Sequence, residues 1–364
     1  MKRMIYIISV IILLSVLIVP LSVNADCNDE IQNEISGVIN DVFADNDVGF
    51  EYDDISGLSF SDTINLIKDR LLDEITAPFR LMTGIIAVVI FTAVMQSAGE
   101  SFICGNSVRT YDLICVTASA ALIVPQLVSV CRSTLDVIKQ TGSFLLVYVP
   151  AFSGITILSG GTATGSLYNI MILAASEFIV KLCDSFLLPL MSVTAVMAVT
   201  GSIFPDASMN GFCELIKKST VWILGITVTL FTGFVTLKCT LTAKADGAAS
   251  KAVKMMISGF VPVAGGAVSD AYASVRSSID VIRGTVGVGG TIAASVILLP
   301  PILKIAVFRF VMWLGTAAAD LFSADVISKL IKGLESVLAI AQSILICYGL
   351  MFIICTAILM QSFV

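Results

Sequence analysis

Residues 336–364 read SVLAIAQSILICYGLMFIICTAILMQSFV, a run of 29 residues without a charged side chain. About 20 apolar residues in a helix are enough to cross the hydrocarbon core of a bilayer. Over the whole chain, 57% of residues are hydrophobic and 13% are charged, against roughly 25% charged in a typical soluble domain. The sequence therefore predicts an all-α, polytopic helical membrane protein.

Charged residues divide the rest of the region 81–364 into further uncharged stretches, most of them near the length of one membrane crossing. These stretches are 81–99, 113–131, 140–176, 185–205, 219–237, 284–303 and a shorter one at 305–319. Together with the C-terminal run they predict a multi-pass domain over 81–364 with about eight spans, one or two of them broken or re-entrant.

The stretch 140–176 is too long for one straight span and barely long enough for two. Cytoplasmic loops usually carry the excess of Lys and Arg. One partly broken crossing places ten basic residues inside and five outside, whereas two crossings place four inside and eleven outside. The rule favours one crossing, which puts Lys139 and Lys217 outside and Lys181 and Lys251 inside.

The N-terminus has the layout of an export signal. Lys2 and Arg3 precede an apolar stretch, and small residues end at Ala25, so residues 1–25 predict a signal peptide, with an uncleaved membrane anchor as the alternative. Residues 26–80 hold 14 acidic and three basic residues and are expected to be extracytoplasmic. Their second part has apolar residues on one helical face, which predicts an amphipathic helix that lies on the bilayer or docks a partner; these residues are Phe60, Ile64, Ile67, Leu71 and Ile75.

The composition argues against several classes of protein. Histidine is absent, which excludes the Ser-His, Cys-His and His-metal mechanisms. The nine cysteines form no CxxC pair, and a net charge of −6 is no nucleic-acid signature. Gly284, Gly287, Gly289 and Gly290 look like a phosphate loop but precede a hydrophobic helix, so helix packing explains them better. We expect no enzyme, no metal and no cofactor.

Two segments interrupt the pattern of simple spanning helices. Proline and clustered glycines disrupt helices, and backbone that is broken at membrane depth must be buried in protein or line a watery cavity. Ordinary packing kinks and a conduit are both open interpretations. The residues involved are Pro150, Gly154, Gly161 and Gly165 in the first segment, and Pro262, Gly265 and Gly266 in the second.

Charged side chains near the predicted spans are few. Glu177 and Lys181 are four residues apart and could pair on a helix, and Arg309 lies within a span, eleven residues before Asp320. Intramembrane ionisable groups are functional candidates by default, but structural pairing or snorkelling is the more ordinary role for Glu177, Lys181 and Arg309.

The interrupted segments carry a family resemblance. The run 259–271 (GFVPVAGGAVSDA), the glycine motif at 286–290, the Pro300-Pro301 pair and the segment from Val149 through Phe152 to Tyr168 resemble the stage III sporulation protein AE family. The resemblance covers nearly the whole chain, and it is most specific from about residue 250 to 320.

This resemblance implies a multi-pass protein of the mother-cell membrane around the forespore in endospore-forming Firmicutes. The implied function is that of a subunit of a channel or secretion-like complex that links the two cells and supports forespore development after engulfment. The implied partners are other stage III sporulation proteins, including ring-forming proteins and a secretion-type ATPase. No catalytic residues are implied. A stand-alone permease for a small solute and a structural scaffold for ring proteins are the alternatives.

Overall fold

The computed structural model describes residue 78 and residues 81–94, 107–203, 209–260 and 265–361. The predictions for residues 1–77, including the signal peptide and the amphipathic helix, lie outside these residues, as does Pro262. The helices are α1 (Leu81–Val94), α2 (Ser107–Leu158), α3 (Thr162–Leu182), α4 (Leu188–Ile203), α5 (Met209–Phe260), α6 (Gly265–Leu321) and α7 (Asp325–Gln361). A π-helical turn, Cys183–Leu187, joins α3 to α4 without a break.

Every element in the described residues is helical, which confirms the all-helical prediction, and five segments among these residues are long and apolar enough to cross a membrane. They are Leu113–Leu158, Thr162–Ile203, Gly211–Met256, Tyr272–Leu321 and Asp325–Ile358. The predicted count of about eight spans is not confirmed. Stretches 113–131 and 140–158 lie on one helix, and so do 284–303 and 305–319, because Lys and Arg between two apolar stretches are good helix formers and do not end a helix.

The stretch 140–176 folds as two antiparallel helices rather than as one partly broken helix, and the number of membrane crossings that it makes stays a prediction. Ser153 on α2 donates a hydrogen bond to the Gly165 carbonyl on α3 at 2.9 Å. Further along, Gly142 lies against Val180, and Lys139 pairs with Asp184. Each arm has about 20 residues, enough for one bilayer crossing, and Lys139 therefore lies at the same end of the hairpin as Lys181 rather than at the opposite end.

Helix α7 forms the centre of the bundle. In its most apolar stretch 67% of the residues are buried, against 17% in α5, and α7 packs against α2, α3, α4, α5 and α6. Two hydrogen bonds fix its antiparallel register against α3: Tyr168 with Thr356 at 3.2 Å, and Ser176 with Tyr348 at 2.8 Å. The predicted C-terminal span is thus the core element, and α5 is a peripheral one.

Aromatic rings fill the middle of the bundle. Tyr148 stacks on Phe144 and Phe152, with ring centroids 5.3 and 5.6 Å apart, and meets Phe352 edge-on at 5.9 Å. The Tyr148 hydroxyl donates to the Val286 carbonyl at 3.2 Å.

Glycines on α6 allow this close approach. A Cβ atom at Gly290 would lie 2.0 Å from Cζ of Tyr148, and one at Gly287 would lie 2.8 Å from Sδ of Met360. The helix-packing explanation of these two glycines is confirmed. At Gly284, by contrast, nothing lies within 4 Å of such an atom.

Candidate functional site: the capped helix break and the charged belt

The first interrupted segment breaks later than the sequence suggested. Pro150 and Gly154 lie inside α2, which continues to Leu158, so the expectation of broken backbone at these two residues is wrong. A proline removes one backbone donor, and neighbouring groups in a helix bundle can compensate for that loss. The break occurs at residues 159–161 instead.

Gly160 makes this break possible. Its φ of +90° is a conformation that glycine adopts without a steric penalty. The Gly160 amide donates to the Ile157 carbonyl and the Gly161 amide to the Thr156 carbonyl, both at 3.0 Å. This pair of bonds is a Schellman motif, which satisfies the last carbonyls of α2 before the chain reverses.

Asp246 on α5 caps the start of α3. Its carboxylate accepts hydrogen bonds from the Ala163 amide at 3.1 Å, the Thr164 amide at 2.9 Å and the Thr164 hydroxyl at 2.8 Å. Asp246 is only 4% exposed, and a carboxylate at a helix N-terminus is stabilised by the free amides and the helix dipole. The break is therefore closed by protein groups. Sequence reasoning missed Asp246, because its partners lie more than 80 residues away.

The other predicted glycines have separate places. A Cβ atom at Gly165 would lie 2.9 Å from the Ser153 carbonyl oxygen, so Gly165 allows α2 and α3 to approach closely. Gly265 and Gly266 begin α6, more than 90 residues along the chain from Gly165. The hypothesis that these residues line a conduit stays a prediction.

Four charged side chains lie on the exposed face of the α2–α3 hairpin. Glu177 and Lys181 form an ion pair at 2.9 Å, and Lys139 and Asp184 form another at 3.4 Å. All four side chains are about half exposed or more, so these pairs contribute little to stability in water.

Arg309 on α6 joins a more enclosed cluster. Its Nε and Nη2 atoms lie 2.7 and 2.6 Å from Oε1 of Glu335, and its Nη1 donates to Oε1 of Gln342 at 2.6 Å. Lys217 on α5 donates to the other Glu335 oxygen at 2.8 Å. The three charged side chains are 22–24% exposed. Asp320, the acid nearest to Arg309 in sequence, instead pairs with Lys332.

These ion pairs lie at a similar height in the bundle, and we call them the charged belt: Lys139–Asp184, Glu177–Lys181 and Lys217–Glu335–Arg309. The hydrogen bond between Ser176 on α3 and Tyr348 on α7 fixes the register of these two helices. This register places Asp184 and Glu335 within about two helical turns of each other along the bundle. The belt draws on α2, α3, α5, α6 and α7.

An apolar slab separates the charged belt from the end of the bundle that holds the Gly160 break; on the other side of the belt, α2 and α4 continue through the apolar stretches 113–131 and 188–203. About 20 residues run from Lys139 to Gly160 on α2, and a similar number from Lys217 to Lys238 on α5. The distance is about the same between Arg283 and Lys304 on α6. At 1.5 Å per residue each segment is about 30 Å long, which is the thickness of a bilayer core.

A cavity of about 370 Å³ lies inside this slab between α3, α5 and α7. Its walls are nearly all apolar and include Phe178, Leu224 and Met351. Walls of this kind suit an apolar occupant rather than a polar solute.

The fold and the site together define a class: an all-helical protein with several helices of membrane length, organised as a multi-pass membrane protein. A family model described as stage III sporulation protein AE matches residues 51–362, and the chain belongs to that family. Stage III sporulation protein AE of Bacillus subtilis (strain 168) is 22% identical over 280 residues, which cover 75% of this chain and 70% of that relative. No solved structure matches the chain. The predicted family resemblance is confirmed.

Proposed function

We propose that this chain is a non-enzymatic membrane subunit of a sporulation channel or secretion-like complex that links the mother cell and the forespore. Its role would be to support forespore development after engulfment. Membership of the stage III sporulation protein AE family supports the sporulation role, and the five membrane-length helices support the membrane location.

One observation favours a subunit over a self-contained transporter: aromatic rings fill the middle of the bundle, and the cavity between α3, α5 and α7 has apolar walls. The stacked rings of Phe144, Tyr148 and Phe152 occupy the middle, and the Gly160 break is closed by Asp246. A conduit would therefore form between this chain and its neighbours. The exposed apolar face of α5, with Trp222 69% and Leu230 68% exposed, is available for lipid or for such neighbours.

The proposed orientation places the charged belt on the extracytoplasmic side of the mother-cell membrane, together with residues 26–80 after removal of a signal peptide. The opposite end would face the cytoplasm, because Lys238, Lys244, Lys251 and Lys254 lie there on α5 and cytoplasmic ends are rich in Lys and Arg. The proposed partners are other stage III sporulation proteins, including ring-forming proteins and a secretion-type ATPase.

Cross-linking in sporulating cells tests this proposal. A photo-reactive residue at Leu230 should capture a companion protein of the complex, whereas one at Val235, which is 0% exposed on the same helix, should capture only this chain. The purified protein in liposomes should not move small solutes. Solute transport by the chain alone would favour the permease, and retained function after Gly-to-Ala replacement of the break would favour the scaffold.

A further inference from the structure

We infer that Lys217 and Arg309 of the charged belt, together with the adjacent Gln342, form a binding site for a phosphate group. The site lies where α5, α6 and α7 meet, around Glu335. This inference does not depend on the proposed channel function.

The cluster carries an excess of positive charge. Two cations, Lys217 and Arg309, share the single carboxylate of Glu335. Both oxygens of that carboxylate are already engaged, Oε1 by Arg309 and Oε2 by Lys217. One positive charge is therefore left without a counter-ion within the cluster.

The cluster also has more hydrogen-bond donors than acceptors. A guanidinium carries five N–H groups, an ammonium three and a primary amide two. Arg309 uses three and Lys217 uses one in the bonds described above. Each of these side chains thus keeps two N–H groups without an acceptor among the described residues.

Gln342 supplies an independent indication of a missing ligand. The residue is 2% exposed, and its Nε2 atom is buried without a hydrogen-bond partner in the described part of the chain. The amide orientation is fixed, because its Oε1 accepts from Arg309 and Nε2 could not. A buried donor without a partner costs about 1–3 kcal/mol, and the oxygen of a bound anion would remove that cost.

Position and shape favour phosphate among the possible anions. The cluster lies about 30 Å along the helices from the end of the bundle that holds Gly160 and Arg283, a separation equal to the thickness of a bilayer core. Arg and Lys side chains at 22–24% exposure are enclosed but reachable. A phosphate offers several acceptor oxygens to such a group of donors, and basic pockets between membrane helices bind lipid head groups. The phosphate could come from a lipid or from solution.

Binding to the purified full-length chain in a neutral detergent tests the inference. The two probes are inorganic phosphate and dihexanoyl phosphatidylglycerol, and affinity is measured by calorimetry. We expect Lys217→Gln to weaken binding about tenfold, the effect of one charge-assisted hydrogen bond, and Gln342→Leu to weaken it several-fold. Gln342→Leu keeps both ion pairs of Glu335, so its fold should survive even where Lys217→Gln perturbs the bundle.

Lys218→Gln is the matched control, because Lys218 is the adjacent cation and pairs with Glu214 outside the cluster. It should leave binding unchanged. Binding of both probes would identify free phosphate as a sufficient ligand, and binding of the lipid alone would identify a head group. The inference is overturned if neither probe binds, or if Lys218→Gln weakens binding as much as Lys217→Gln does.

Discussion

Replacing Gly290 by alanine should destabilise the bundle through one identifiable clash. The new Cβ atom would lie 2.0 Å from Cζ and 2.2 Å from the hydroxyl oxygen of Tyr148, whereas carbon atoms in contact are about 3.5–4.0 Å apart. The ring must therefore move by more than 1 Å, or α6 must retreat from α2, and Tyr148 has little room because it lies between Phe144 and Phe152.

The size of the effect follows from three contributions. Overpacking a filled core costs about 1–3 kcal/mol. Displacing the Tyr148 hydroxyl from the Val286 carbonyl costs about 1 kcal/mol more. Alanine returns about 1 kcal/mol as the better helix former. We expect Gly290→Ala to lower the free energy of unfolding by about 1–3 kcal/mol.

Gly284→Ala is the matched control on the same helix. Nothing lies within 4 Å of its new Cβ atom, so only the helix propensity changes, and this variant should be stabilised by up to about 1 kcal/mol. Both variants are compared with the parent chain by thermal unfolding in detergent. If Gly290→Ala melts at or above the melting temperature of Gly284→Ala, the inference that Tyr148 packs tightly against Gly290 in the middle of the bundle is wrong.

Three further substitutions, two of them measured beside a comparison variant, test the helix break and the charged belt in the same melting assay. Asp246→Ala should cost about 1–2 kcal/mol, because the first amides of α3 lose their cap; an unchanged melting temperature would contradict the cap. Gly160→Ala should lower the free energy of unfolding by about 1–2 kcal/mol, because Gly160 has a φ of +90°. Gly154→Ala is the control and should cause no loss of stability, because Gly154 lies at an open helical site. Equal losses in the two variants would argue against the Schellman motif. Glu335→Gln should cost about 2 kcal/mol, since it leaves two cations unpaired in a partly buried site, and adding Lys217→Gln should recover part of that loss; an additive loss would rule out their coupling.

Local patterns in the sequence predicted the helices, but not their number or where they end. Long uncharged stretches are a direct consequence of membrane depth, so the C-terminal run correctly marked the core of α7. The sequence cannot show that Lys304 and Arg309 sit within one continuous helix, because a charge between two apolar stretches is equally compatible with a loop.

The glycine and proline motifs were correct about the region of a break and wrong about its position. A left-handed residue needs glycine, and Gly160 supplied it, while Pro150 was absorbed into α2. The long-range hydrogen-bond partners in the helix break and the charged belt could not be predicted from the sequence for a different reason. Asp246 and Glu335 act across more than 20 residues of sequence, and a single sequence holds no periodic signal for such pairs.

The sidedness of the α2–α3 hairpin shows most directly whether the stretch 140–176 crosses the membrane twice or once. Single cysteines at Gln140, Ser185 and Thr162 leave every belt ion pair intact. The chain is expressed in non-sporulating cells, where its extracytoplasmic side faces the medium, and an impermeant thiol reagent is applied to intact and permeabilised spheroplasts. The parent chain measures the background from native cysteines. The hairpin geometry and the proposed orientation predict that the cysteines at 140 and 185 react from the same, outer side and that the one at 162 reacts only after permeabilisation. Labelling of 140 and 185 from opposite sides would mean that the stretch between them crosses once, and would contradict the slab, the belt and the hairpin together.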